Sequence, residues 1–310
     1  MRVIATAALA LSMAAIAAAQ TPGAGQQAQR APAAPAAPAQ DMNARAVYLF
    51  DEGAKPVEPF KILGNIYYVG AADLAVYLIA TPQGHILLDS GDARVGFDIA
   101  GNMRKLGFNL SDVKVILNSH AHADHIQNHE YLRKASGATV AIMEADVSAA
   151  RSGHDESPTQ APGWEPIRVE RVLKDGDEVV LGGTVMRAIW TPGHTPGSTA
   201  WVASVREGDR SYQVLWGGPP TPVVGNAKYD TRAEDAARSF SRLRELKPDI
   251  ILGGHVAQAW KDKFAALRAG QKPHPLLIQP ADWTKQLSDA EANYQKRAAA
   301  ARDAASAERR

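Results

Sequence analysis

The 310-residue chain contains no cysteine. That absence excludes a disulfide framework, a thiolate metal site, a cysteine nucleophile and a lipid-modified cysteine. Excess charge is lacking too: 34 Lys and Arg stand against 33 Asp and Glu, with no long basic run. The electrostatic footprint of a nucleic-acid binder is therefore missing. Histidine is sparse, at nine residues, so its placement rather than its abundance carries meaning. Apolar residues at 45% and charged ones at 22% are the proportions of an ordinary globular protein.

Residues 1–19 consist of Arg2 and an Ala-rich apolar run ending in Ala17-Ala18-Ala19. The pattern predicts a secretory signal cleaved after the small residues, and hence a periplasmic or secreted protein. The run is short and mostly Ala, so a stable membrane anchor is not expected. Residues 20–46 include APAAPAAPA at 31–39 and hold too few large apolar side chains to offset their ordering entropy, which predicts a disordered leader. From residue 47 to 287 the apolar density suits one hydrophobic core, so a single domain of two packed halves is expected; the chain is also expected to be a monomer. Residues 288–310 read as a C-terminal helix and tail, opened by a capping box of Ser288 and Glu291.

The body alternates between strand-like and helix-like patterns. β-rich runs fall at Asn65–Val69, Leu74–Ala80, His85–Asp89, Val113–Asn118 and Thr139–Met143, then at Glu178–Leu181, Thr184–Trp190, Thr199–Val205, Gln213–Trp216 and Ile250–Leu252. Val95, Ile99, Met103 and Leu106 form one helical face that stops at Gly107. Thr231 and Glu234 form a capping box for a second helix carrying Ala236, Phe240, Leu243 and Leu246. Early hairpins followed by helix–strand units in each half predict an α/β fold of two mixed sheets flanked by helices, an αββα sandwich.

Four candidate ligands stand within six residues at His120-Ala121-His122-Ala123-Asp124-His125. They follow a buried strand directly, and their types are those that bind metal ions. His194 lies in the turn Trp190-Thr191-Pro192-Gly193-His194-Thr195-Pro196-Gly197, and His255 follows Ile250-Ile251-Leu252-Gly253-Gly254. Both therefore stand at strand ends, where the ligands of an α/β site gather. His129, a helical turn after His125, reads as a surface residue, and His85 and His154 as loop residues away from any metal.

The run LLDSG at 87–91, the HAHADH motif, TPGHTPGSTAW and the late GGH resemble the metallo-β-lactamase superfamily, and together span most of the body. PFKILGNIYYVGAADLAVYLIATPQGHILLDSG and TPGHTPGSTAW are similar to class B β-lactamases of the third subclass. The resemblance implies two Zn2+ per chain. His120, His122 and His194 would hold one, and Asp124, His125 and His255 the other. It also implies hydrolysis of a small β-lactam by water activated between the zincs, without a covalent intermediate, with Asp124 relaying a proton to the leaving nitrogen. Glyoxalase-type relatives carry a metal-bridging Asp after the strand that ends here at Trp216, whereas this chain has Gly217-Gly218.

Other positions depart from the subclass. Where its members have small Ser residues that hold the substrate carboxylate, this chain has Gly218-Pro219-Pro220-Thr221. Thr221 is the expected replacement, since Pro219 and Pro220 have no N–H to offer. Ile126-Gln127-Asn128 and Val256-Ala257-Gln258 also differ from the usual residues. Trp164 either walls the cleft as a substrate contact or anchors its Pro/Gly-rich loop on the core. Asp89 either orients a zinc-bound imidazole or caps the helix region after Asp92. Asn118 and Ser119 read as loop hydrogen-bonders. The alternatives to a β-lactamase are another zinc hydrolase of this fold, such as a lactonase, and a zinc-binding protein without turnover.

Overall fold

The computed structural model describes residues 53–92, 98–155, 163–226, 228–256 and 258–309. The signal at 1–19, the leader at 20–46 and Val95 lie outside the described residues.

The chain runs β1 (Phe60–Leu63), β2 (Ile66–Tyr68), β3 (Tyr77–Thr81), β4 (Gly84–Leu88), α1 (Ile99–Lys105), β5 (Val113–Leu117), α2 (Ala123–Ile126), α3 (His129–Ser136), β6 (Thr139–Met143), α4 (Val147–Ser152) and β7 (Arg171–Leu173). It continues with β8 (Glu178–Leu181), β9 (Thr184–Trp190), β10 (Thr199–Glu207), β11 (Arg210–Trp216), α5 (Ala233–Arg244), β12 (Ile250–Leu252), α6 (Gln258–Arg268) and α7 (Pro280–Glu308). β1 to β7 form one sheet in chain order; the other has the order β12-β11-β10-β9-β8. β1 to β4 are an antiparallel meander, after which β4, β5, β6 and β7 run parallel. In the second sheet only β11 and β12 are parallel.

Residue parity explains the layers. Along a strand successive side chains point to opposite faces, and these strands are apolar on both. Ile86 and Leu88 of β4 enter the core between the sheets, and Leu87 enters the core beneath α1 to α4. Val214 and Trp216 of β11 and Ile250 and Leu252 of β12 face the shared core, while Leu215 and Ile251 pack on Phe240, Leu243, Trp283 and Leu287 of the outer helices. The architecture is the expected sandwich of two mixed sheets flanked by helices. Among the described residues, no helix is long and apolar enough to cross a membrane.

Helix ends depart from the sequence reading. α5 starts at Ala233 after Arg232, and the box of Thr231 and Glu234 does not form. Thr231 Oγ1 instead donates to the Gly193 carbonyl at 2.6 Å, and Glu234 pairs with Arg232. α7 begins at Pro280, eight residues before Ser288, whose hydroxyl lies mid-helix and donates to Thr284. Burial of Trp283 and Leu287 against the second sheet sets that earlier start. α1 is capped by Asp98, whose Oδ1 accepts from the Gly101 amide, so Asp89 is not the cap.

Candidate metal centre

The carboxyl ends of the strands bring the candidate ligands to one rim. β5 ends at Leu117 and delivers His120 and His122 on extended backbone. His122 is the residue from which α2 departs, and α2 turns Asp124 and His125 aside from them. The loop from β9 to β10 carries His194, and the turn after β12 carries His255. Both later loops are tied to the first sheet. Thr199 N donates to the Ser119 carbonyl (2.7 Å) and Trp201 Nε1 to that of Asn118 (2.9 Å). Ala75 N donates to Gly254, Val256 N to Asp73, and Tyr77 Oη to Gly253.

All six predicted ligands converge as two triads, His120/His122/His194 and Asp124/His125/His255, with the ligand atoms of each within 4.8 Å of one another. In the second, Nε2 of His125 and His255 are 3.2 Å apart, and Asp124 Oδ2 lies 3.5 and 3.3 Å from them. Zinc–ligand bonds of about 2.0–2.1 Å in a tetrahedron give ligand–ligand edges of about 3.3 Å, so these spacings fit one ion. The rings of His120 and His125, one from each triad, have centroids 4.0 Å apart. Among the described residues His120 Nε2 is buried without a hydrogen-bond partner, which suits a nitrogen that ligates a metal ion.

Three imidazoles are hydrogen-bonded from behind at Nδ1, which leaves Nε2 for the centre. His120 Nδ1 lies 3.0 Å from Ser119 Oγ, His125 Nδ1 3.0 Å from Asp89 Oδ2, and His194 Nδ1 3.2 Å from Thr221 Oγ1. His255 Nδ1 faces Asp73 Oδ2 at 3.5 Å. Asp89 also accepts from the amide and hydroxyl of Ser119 (2.6 and 2.8 Å). It holds the left-handed φ of 61°, a strained conformation that its bonds over-determine. Gly254 is required by close approach: a Cβ there would meet His125 Cε1 at 2.9 Å.

Asp146, in the turn after β6, is a further anchor that the sequence reading missed. Its carboxylate accepts from Ala121 N (2.8 Å), Thr195 Oγ1 (2.7 Å) and Gly197 N (2.6 Å), so it joins the two loops of the first triad. A Cβ on Gly197 would strike it. Burial pushes its pKa up to about 6 against the pull of those three donors. Burial, reinforced by neighbouring imidazoles, pushes His120 well below the usual histidine range and His194 down to about 3, keeping both neutral and able to ligate. In the second triad burial is outweighed: Asp124 is held far below the carboxylate range by His125 and His255, and His255 is raised to about 9 by Asp124 and Asp73.

Three sequence expectations are revised. Trp164 is 7% exposed, packed in the core beneath the helices, with Nε1 donating to Ala150; it anchors its loop and does not wall the cleft. His129 is fully buried rather than on the surface, with Nδ1 2.7 Å from Ser90 Oγ, because the face of α3 that carries it packs on the first sheet. His85 is buried on β4, edge-on to Phe108. His154 lies in an exposed turn with Nδ1 near the Ser152 carbonyl. Asp73, which sequence reasoning also missed, is an acid in the apolar run Ala71–Val76.

The sequence profile of the metallo-beta-lactamase superfamily matches residues 73–255, a span that contains every ligand, and the chain belongs to that superfamily. The chain is similar to solved structures of subclass B3 enzymes. Against BJP-1 of Bradyrhizobium japonicum it is 31% identical over 83% of this chain and 99% of that one, with a TM-score of 0.74. Against native FEZ-1 from Legionella gormanii it is 36% identical over 79% and 98%, with a TM-score of 0.70. It is also 31% identical to a hydroxyacylglutathione hydrolase of Cereibacter sphaeroides, over 57% of this chain and 59% of that protein. The matches to the hydroxyacylglutathione hydrolases thus span less than two thirds of their lengths.

Proposed function

We propose that the protein is an exported zinc-dependent β-lactamase that opens the lactam amide without a covalent intermediate. The observation that carries this reading is the donor set: an all-imidazole triad beside an Asp-His-His triad, with Gly217-Gly218 where a bridging carboxylate would follow β11. Five imidazoles with one carboxylate and no thiolate suit zinc. Export rests on the apolar run at 1–19, and the chain is taken to act as a monomer.

Zinc held at such a pair would lower the pKa of its bound water toward about 7 and act as a Lewis acid for the carbonyl. The chain's own task is orientation. Ser119, Asp89 and Thr221 fix three imidazole rings, Asp73 faces the fourth at 3.5 Å, and Asp146 fixes the loops of the first triad. Asp124, the single carboxylate among the six ligands, is the group assigned to carry a proton toward the leaving nitrogen.

Hydrolysis of a chromogenic cephalosporin by purified protein, lost with a chelator and restored by zinc, is the expected result. Turnover of lactones or a glutathione thioester without lactam opening would replace this reading with another hydrolase of the superfamily. Zinc binding with no turnover of any of these substrates would make it a binding protein.

A further inference from the structure

His129 is a fully buried histidine that belongs to neither triad. It stands one helical turn past His125, at the start of α3. Its Nδ1 lies 2.7 Å from the hydroxyl of Ser90, which is also fully buried. Polar side chains taken this far from water are tolerated only where they are hydrogen-bonded, so the contact is a built one.

Every polar group of Ser90 engages the segment from residue 125 to 129. Its amide donates to the His125 carbonyl at 2.7 Å, and its hydroxyl lies 3.1 Å from the same carbonyl. The Asn128 amide donates to that hydroxyl at 3.2 Å, and Asn128 Nδ2 donates to the Ser90 carbonyl at 2.9 Å. The hydroxyl thus has three neighbours and a single proton. His129 Nδ1, at the shortest of the three distances, fixes where that oxygen sits.

α2 depends on such support. It is a single turn, Ala123–Ile126, too short to persist on helix propensity alone, and its last carbonyls need partners from outside the helix. Yet it carries Asp124 and His125, two ligands of the second triad. Consecutive residues after β4 grip His125 at both ends: Asp89 Oδ2 holds the ring Nδ1 at 3.0 Å, and Ser90 holds the carbonyl. A ligand must stay within about 0.5 Å of its productive position, so drift of that carbonyl would carry the ring off an ion. His120 and His122 precede α2 and have a separate anchor, Asp146 on the Ala121 amide.

We propose that Ser90 and His129 form a positioning pair for the second metal site. The pair seats α2 and His125, and so sets the grip of the Asp124/His125/His255 triad on a divalent ion without setting that of the first triad. This inference rests on the two-ion reading above and gives His129 a part in the affinity for the second ion.

The test is metal binding, read without turnover. Chelator-stripped full-length protein is titrated with zinc against a chromogenic chelator, which resolves one dissociation constant per site. A parallel titration uses Co2+, whose visible absorption reports coordination geometry. His129→Leu stays close in volume and removes the ring nitrogens, and Ser90→Ala removes the hydroxyl. Each is expected to weaken the second constant about tenfold, with the first within about twofold. The cobalt spectrum should change only in the increment from the second equivalent. His129→Asn, whose side-chain amide can place a polar atom where Nδ1 stands, is expected to hold the second constant within about threefold of the parent. Equal weakening of both sites by His129→Leu or Ser90→Ala would reduce the pair to general packing and overturn the proposal. Unchanged constants in those variants would overturn it too, as would failure of His129→Asn to preserve the second site. Should His129→Leu not fold, Ser90→Ala and His129→Asn decide between the same outcomes. If weakening is confined to the second site yet the parent opens no lactam, the lactamase reading fails while the positioning pair stands.

Discussion

The amide of Ala121 donates to Oδ2 of Asp146 at 2.8 Å, so a buried carboxylate grips the backbone between two histidines of the first triad. The same carboxylate accepts from Thr195 and Gly197, beside the third histidine. Every partner is a donor, so an amide cannot replace the carboxylate: one end of an Asn side chain would present N–H to N–H. Asp146→Asn is expected to weaken metal binding at the first triad by about 10- to 100-fold, the usual scale for groups behind the ligands. Metal content after mild chelation should fall from two ions per chain toward one, with far-UV circular dichroism unchanged. Two retained ions would refute the anchoring role.

The second centre answers to a different change. Because a Cβ at position 254 would lie 2.9 Å from His125 Cε1, Gly254→Ala must push that ring off Asp89. The expected result is selective loss of the Asp124/His125/His255 ion, read by metal analysis and chelator competition, while the first triad keeps its ion.

His129 gives a pH dependence with a definite sign. Burial lowers its pKa to about 4 from 6.5, so the unfolded chain takes up this proton first as pH falls. Stability present above about pH 6.5 is therefore lost as pH drops toward 4, by about 3 kcal/mol from this group. Thermal unfolding of chelator-treated protein between pH 7.5 and 4.5 should show that decline, and His129→Gln should flatten it. Equal slopes in both proteins would exclude a neutral buried His129.

Trp164→Ala separates packing from substrate contact. Truncating this buried ring should cost about 3–5 kcal/mol of stability and release the loop it holds through Ala150. KM for a lactam should stay within about twofold below the melting transition. A large rise in KM without destabilisation would restore Trp164 to the cleft.

The metal ligands were legible because their types and strand-end positions constrain one another: HAHADH behind Val113–Leu117 leaves few other roles for four donors. The strands were legible for a similar reason, since runs such as Ile250–Leu252 are apolar on both faces. Local rules failed where tertiary contacts prevailed. Thr231 and Ser288 match capping signals, yet one bonds Gly193 and the other sits mid-helix, because packing around Thr231 and beneath Trp283 decides where α5 and α7 start. Asp146 and Asp73 escaped notice because each acts on a segment 25 or more residues away, and no spacing within a single sequence encodes such a pair.

Both triads draw two ligands from the loop and helix after β5 and the third from the second sheet. A half-folded chain therefore offers any ion only an incomplete, weak grip. A metal ion held there would stitch one half of the molecule to the other, so ion occupancy and resistance to unfolding should rise and fall together.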